Sequence, residues 1–451
     1  MDSKSYQVEQ PSDRILAIIL GEEQGDQLFP LTKFRAKSVI PFAGYYKLID
    51  IPISNCIHSD IYHIAVLTQF CSLSVYRHIS SVFNSIAIGK GWVQTWAAEQ
   101  NIQSNEWFLG SADAVRKHMQ EVESFQPDKV LIIPGGQIYR MDFKELITFH
   151  NNNQSDITIC VHPIKRDDTM RYGITKSDPS GRIIEFAEKM TFSNYMERLV
   201  SNLDREKPFH GSMGIYLIEM DILRKIINTT KHNDFEIEVL PEAIKNFNVF
   251  TYRFQEYWED FSSIRDYYEA SLRNCSSEAP FQLGDPGKPI FRQKQIIPCS
   301  SIRSSNLYHV LLADGCMIQN ANIINSVIGP GTMVSENVYI QDCVILGAGK
   351  DMDSGSFTTK ILSKVIIGRN SEINGAILDE NCTIGENVTI RPFPTGTNLQ
   401  KTGYSVLDGI IVIHKGTVIP DHSWIGPQTD DLKSERYLKI DDSADVNPQK
   451  E

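Results

Sequence analysis

From residue 14 to about residue 270, short apolar runs alternate with amphipathic stretches. The runs Ile15–Leu20, Ile64–Leu67, Val130–Ile133, Ile157–Val161, Ile215–Ile218 and Phe250–Phe254 are too short for stable helices and predict buried strands. Ser72–Val82, Ala112–Glu123 and Phe143–His150 predict helices between them. Strand–helix alternation is the pattern of an α/β domain with a mostly parallel sheet. Ligands of such sheets sit beyond the carboxyl ends of the strands, which singles out the loops after Leu20, Ile133 and Phe254.

Past residue 290 the periodicity changes. Ile328, Val334 and Ile340 recur every six positions, as do Ile367 and Ile373, then Leu378, Ile384 and Ile390. Glycine follows several of them. A six-residue period predicts a left-handed parallel β-helix in which each hexad forms one flat side and its apolar residue points inward. Gly347–Ser356 breaks the period and reads as a loop thrown out of the solenoid. Asn274 to Ile290 is rich in Pro, Gly and Ser and reads as linker. The expected division is therefore an α/β domain over 14–273, a linker over 274–295 and a β-helix over 296–451.

Composition narrows the function classes. Lys and Arg number 44 against 56 Asp and Glu, a formal charge of −12, which argues against nucleic acid or an anionic membrane as main partner. The longest apolar runs are about six residues, far below the ~20 needed for a membrane-spanning helix. Residues 1–13 carry neither a signal-peptide apolar stretch nor an Arg- and Ser-rich transit peptide. The eight cysteines lack any Cys-x-x-Cys pair and predict reduced thiols, and the eleven histidines lack metal-ligand spacing.

The first loop carries the chemistry that matters most. Strand Ile15–Leu20 runs into Gly21-Glu22-Glu23-Gln24-Gly25-Asp26-Gln27. A strand followed by glycines usually cradles phosphate on backbone N–H groups, yet this loop presents three carboxylates, Glu22, Glu23 and Asp26. At ~5 Å and an effective dielectric of ~20, one carboxylate–phosphate pair costs about 3 kcal/mol.

A set of motifs in order along the chain resembles the ADP-glucose pyrophosphorylase (glucose-1-phosphate adenylyltransferase) family, in wording nearest its plant small subunits. They are Arg35-Ala36-Lys37, Leu48–Asn55, Leu67-Thr68-Gln69-Phe70, Trp107–Arg116, Ile138–Asp142, Glu185–Lys189, Ser212–Tyr216 and Tyr257-Trp258-Glu259-Asp260. The resemblance implies a nucleotidyltransferase domain joined to a hexapeptide β-helix. It also implies a reaction of ATP with glucose 1-phosphate that gives ADP-glucose and pyrophosphate, assisted by Mg²⁺. It assigns Gly21, Gly25, Arg35, Lys37, Gln69, Gly110 and Ser111 to the nucleotide. Glu188, Lys189 and Ser212 fall to the sugar phosphate, Asp260 to the metal, and Lys415 to an allosteric activator.

Two positions depart from the family pattern. Gln27 stands where the catalytic arginine is expected, and Gly136 where a metal-binding aspartate is expected. Glycine has no side-chain oxygen, and Mg²⁺ needs hard oxygen ligands, so half a metal site remains. At the effector end, Leu407 replaces a second lysine and Asp408 adds a negative charge. The expectation is a catalytically silent or severely impaired paralogue, a pseudoenzyme that serves as structural or regulatory subunit in a heterotetramer with catalytic subunits. The resemblance places it in the plastid stroma, with the cytoplasm as the alternative. Two competing readings are an active pyrophosphorylase in which Asp142 or Gln137 serves the metal, and a β-helix acyltransferase or scaffold using His414 or His422.

Overall fold

The structure, a computed structural model, describes residues 13–21, 25–83, 90–98, 107–188, 196–201, 204–292, 297–349 and 364–427. Glu22, Glu23, Lys189 and most of the Gly347–Ser356 stretch lie outside the described residues.

Strand Ile15–Gly21 shows why the first domain forms. Its residues are apolar on both faces: Ile15, Ala17 and Ile19 enter one core, and Leu16 and Ile18 the other. Strand Lys129–Pro134 divides in the same way, Leu131 and Ile133 against Val130 and Ile132. A strand buried on both faces belongs in the middle of a sheet covered by helices on each side. These two strands pair in parallel at the centre of a nine-stranded sheet, and His63–Thr68 and Trp92–Ala97 extend it in parallel on one side. On the other side Phe209–Glu219 runs antiparallel and carries Ile157–Ile164 and Ile174–Ser177. The domain is α/β, with a mixed, mostly parallel sheet.

The helices match expectation with one exception. Ser72–Val82 forms as predicted, and the helix predicted from Phe143 runs to Asn152. Ala112–Glu123 is instead two helices, Ser111–Lys117 and Met119–Phe125, broken at His118. The His118 ring packs against Trp96 and Phe108, and its backbone leaves the helical region. Buried ring packing at this point overrides helical continuity.

The second domain is a parallel β-helix. Ile318, Val334, Ile367, Ile384 and Ile419 stack in register along one flat side. Ile323, Ile340, Ile373, Ile390 and Ile425 stack along a second. Every hexad position named above is buried in its core. One corner holds an asparagine ladder, Asn320, Asn337, Asn370 and Asn387, each with positive φ. Their side-chain amides bond from coil to coil at 2.6, 3.2 and 3.3 Å. Asparagine tolerates this left-handed conformation better than most residues.

A further apolar core joins the two domains. Leu28, Ile40, Phe42, Leu48 and helix Ile264–Arg273 bury against Val327, Val344, Leu346, Ile377 and Val412 of the β-helix. Tyr268 donates its hydroxyl to Asp342 O at 2.6 Å across this seam.

Candidate active site

The parallel strands end at Gly21, Thr68 and Pro134, and a cleft of about 630 Å³ opens beyond them. The fold therefore places this cleft where an α/β sheet is expected to bind ligand. Gly21, Gln27, Lys37, Gln69, Gly110, Ser111, Gly136, Ser212 and Asp260 all line it. Residues separated by more than 200 positions in the chain thus converge on one cleft.

Several of these are committed to the scaffold. The Gln69 amide clamps Phe108, accepting from its N–H and donating to its carbonyl. Gly110 is required by space, since a Cβ there would lie 2.5 Å from Asn233 O. Ser111 donates to Asp234 Oδ2 at 3.2 Å and accepts from Phe235 N at 3.0 Å. The segment 233–235 thereby seals the start of helix Ser111–Lys117: Ala112 N and Asp113 N both donate to Asn233 O. Gly25 lies outside the cleft lining. It holds φ at +73° in the turn before Asp26–Leu28, and its carbonyl accepts from Thr32 Oγ1 at 3.0 Å.

Arg35 corrects the assignment to the nucleotide. It does not line the cleft; its guanidinium is buried against Asp379 Oδ1 at 2.8 Å and Glu380 Oε2 at 3.1 Å of the β-helix. Lys47 and Lys415 reach Glu380 at 3.3 and 3.4 Å. Lys415, expected to meet a free activator, therefore faces a carboxylate of its own chain. Burial alone would raise the Glu380 carboxyl, but Arg35, Lys47 and Lys415 outweigh it and hold it down at about 2. Burial pushes Asp379 up against the pull of Arg35. Asp408 likewise pairs with Arg265 across the seam.

The position that the resemblance assigns to the metal lies between Gly136 and Asp260. Strand Trp258–Asp260 pairs antiparallel with Gln137–Tyr139, which brings residue 136 beside Asp260. The Lys37 side chain fills the space between them. A Cβ built on Gly136 would lie 3.1 Å from Lys37 Cε, and the Lys37 ammonium is 3.8 Å from Asp260 Oδ1. Mg²⁺ demands near-octahedral oxygen ligands at about 2.0–2.1 Å. One carboxylate, a glycine and an ammonium do not supply that set, and no cluster of three or more His, Cys, Asp or Glu suited to a metal occurs among the described residues. The residues present do not fit the ion.

The substitutes considered for the lost aspartate are engaged elsewhere. Gln137 Oε1 accepts from Trp258 Nε1 at 3.0 Å. Asp142 caps helix Phe143–Asn152, accepting from Lys144 N at 3.0 Å, and lies outside the cleft lining. Ser262 accepts from Arg171 at 2.6 Å and so holds a second cleft cation onto the loop after Asp260. His414 Nε2 is tied to Ser405 Oγ at 2.8 Å, and His422 is exposed at a β-helix turn.

Sequence reasoning missed Glu236. It lines the cleft beside Ser212, whose hydroxyl donates to Glu236 Oε1 at 3.0 Å; Tyr216 donates to the same oxygen at 2.7 Å. Glu188 does not line the cleft, and its charge acts on Glu236. Burial and then the Glu188 charge push the Glu236 carboxyl up to about 7, against the hydrogen bonds from Tyr216 and Ser212. An acidic residue two places after Asp234 was the only signal available.

With this geometry in view, two family matches define the class. Residues 16–277 match nucleotidyl transferase, and residues 295–423 match the GLGC left-handed parallel β-helix domain. The chain belongs to the nucleotidyl transferase family, whose members bind nucleoside triphosphates and sugar phosphates and generally use Mg²⁺. The pairing of the two domains is that typical of ADP-glucose pyrophosphorylases.

Proposed function

We propose that this chain is a catalytically silent or severely impaired homologue of the glucose-1-phosphate adenylyltransferase small subunit. In this reading it acts in starch synthesis as a structural or regulatory partner of catalytic subunits within a hetero-oligomer of the plastid stroma. The observation that carries the reading is Lys37, whose side chain crosses the space beside Gly136 and points its charge at Asp260. A second defect is independent: Gln27 offers no charge where an arginine would stabilise the transferring phosphoryl group, a loss typically worth ~10³ or more in rate. Uniform drift would have damaged the strand cores and the hexads as readily. Instead those positions are buried and in register while the losses gather in one cleft.

The direct test is ADP-glucose pyrophosphorolysis by the pure protein with Mg²⁺. The expected rate is at background, and turnover near the ~10 s⁻¹ typical of enzymes ends the proposal. Co-expression with a catalytic subunit, followed by native mass measurement, is expected to yield a mixed assembly with altered activator response. A chain that stays apart from every such subunit removes the regulatory role.

A further inference from the structure

Glu236 is held in place by more than its own bonds. Asp234 accepts from the N–H groups of Glu236 and Ile237 at 2.8 and 3.0 Å, and Ser111 fastens Asp234 and Phe235 in turn. The turn therefore aims the Glu236 carboxylate at the Ser212 end of the cleft. Opposite it, Gly214 sits at φ +70°, and a Cβ there would lie 4.0 Å from Glu236 Oε1. On the far side Glu188 packs against Gly173, where a Cβ would lie 2.8 Å from Glu188 Oε2. The Ser212 hydroxyl, the group the resemblance assigns to the sugar phosphate, is already donated to Glu236.

We propose that Glu236 closes the Ser212 end of the cleft to phosphorylated sugars, as a specificity-determining residue independent of the lost metal ligand and the lost arginine. It does so in two ways: its carboxylate takes the Ser212 donor, and its charge, next to Glu188 and Asp234, opposes an incoming phosphate. The proposal rests on the reading of this cleft as a nucleotidyltransferase site, and it extends the defect from the nucleotide end to the sugar end.

The test is titration of glucose 1-phosphate into the full chain, wild type against Glu236→Gln and Glu236→Ala, by ligand-observed NMR. Glu236→Gln keeps the shape and the acceptor for Tyr216 and Ser212 while removing the charge. At about pH 8, where the Glu236 carboxyl held near 7 is mostly ionised, both variants, checked for folding by circular dichroism, are expected to bind about tenfold tighter than wild type, the scale on which one carboxylate–phosphate repulsion is removed. Wild-type binding as tight as the variants overturns the proposal, and so do folded variants that bind no better. Wild-type turnover would sink the impaired-enzyme reading. Absent turnover with unimpaired glucose 1-phosphate binding would sink this inference alone.

Discussion

Arg35 and Lys37 are two residues apart and face opposite ways, and the regions they enter treat charge differently. Arg35 enters the domain seam, where each cation meets a carboxylate: Arg35 meets Asp379 and Glu380, and Lys47 and Lys415 meet Glu380. Lys37 enters the cleft, where Glu236 lies beside Glu188 and Asp234, and where Gly136 and Gln27 occupy the positions that the resemblance assigns to a metal ligand and an arginine. Charge is matched where it holds two domains together and mismatched where it would have to hold phosphate. In the proposed reading, the chain has kept the electrostatics of assembly and lost those of catalysis.

The largest effect expected from this contrast is at Glu380. Glu380→Ala removes the carboxylate that Arg35, Lys47 and Lys415 share. Removing one partner of a buried ion pair costs about 3–5 kcal/mol. Denaturant melts of wild type and variant should show that loss, and a change below about 1 kcal/mol would mean the seam is held by its apolar core alone. The pH dependence has a definite sign. The Glu380 carboxyl is held below its ordinary value of 4.5, at about 2. Its contribution is therefore present above pH 4.5 and is lost as pH falls through about 2. Glu380→Gln should flatten that acid limb.

Glu236 should behave in the opposite sense. Its carboxyl is raised to about 7 from 4.5, so the folded chain holds the proton more tightly than the unfolded chain does. Its contribution is fullest below pH 4.5 and declines as pH rises through about 7. Glu236→Gln should therefore raise the Tm more at pH 8 than at pH 5. An equal shift at both values would show that the carboxyl titrates normally.

The strands and hexads were legible because their periods report burial directly. Leu16 and Ile18 against Ala17 and Ile19, or Ile367 six residues before Ile373, state which way each side chain points. Gly136 and Gln27 stood out only against the family pattern that the chain resembles, and the structure adds that both line the cleft. Arg35 was not, because its partner Asp379 lies 344 residues away and no local pattern says which domain a basic residue faces. Glu236 was hidden for a related reason: nothing before the fold is known brings residue 236 against Ser212. The edge strand Trp92–Ala97, only partly buried, lacks the apolar run that marked the central strands.

A smaller effect is expected from the half-exposed side of the seam. Arg265 and Asp408 are 30 % and 41 % exposed as side chains, so solvent screens their pairing. Asp408→Ala should cost no more than about 1 kcal/mol, the usual range of exposed ion pairs. A loss comparable to that of Glu380→Ala would mean that the two halves of the seam act as one network.

The smallest expected effect is none at all, and it bears most directly on the cleft. Gly136→Asp restores the side chain that a metal site needs. The new Cβ, however, arrives 3.1 Å from Lys37 Cε, and the new carboxylate meets an ammonium already directed at Asp260. An ion pair with Lys37 satisfies it without a metal. The Gln27 position still lacks its cation, and Glu236 still faces the sugar end. ADP-glucose pyrophosphorolysis by Gly136→Asp should therefore remain at the wild-type background. The fuller set Glu22→Gly, Glu23→Gly, Asp26→Thr, Gln27→Arg and Gly136→Asp should gain turnover only when Glu236→Ala is added. Turnover appearing with the single substitution would show that Lys37 yields its place to a metal, and that restoring the one missing carboxylate beside Asp260 is enough.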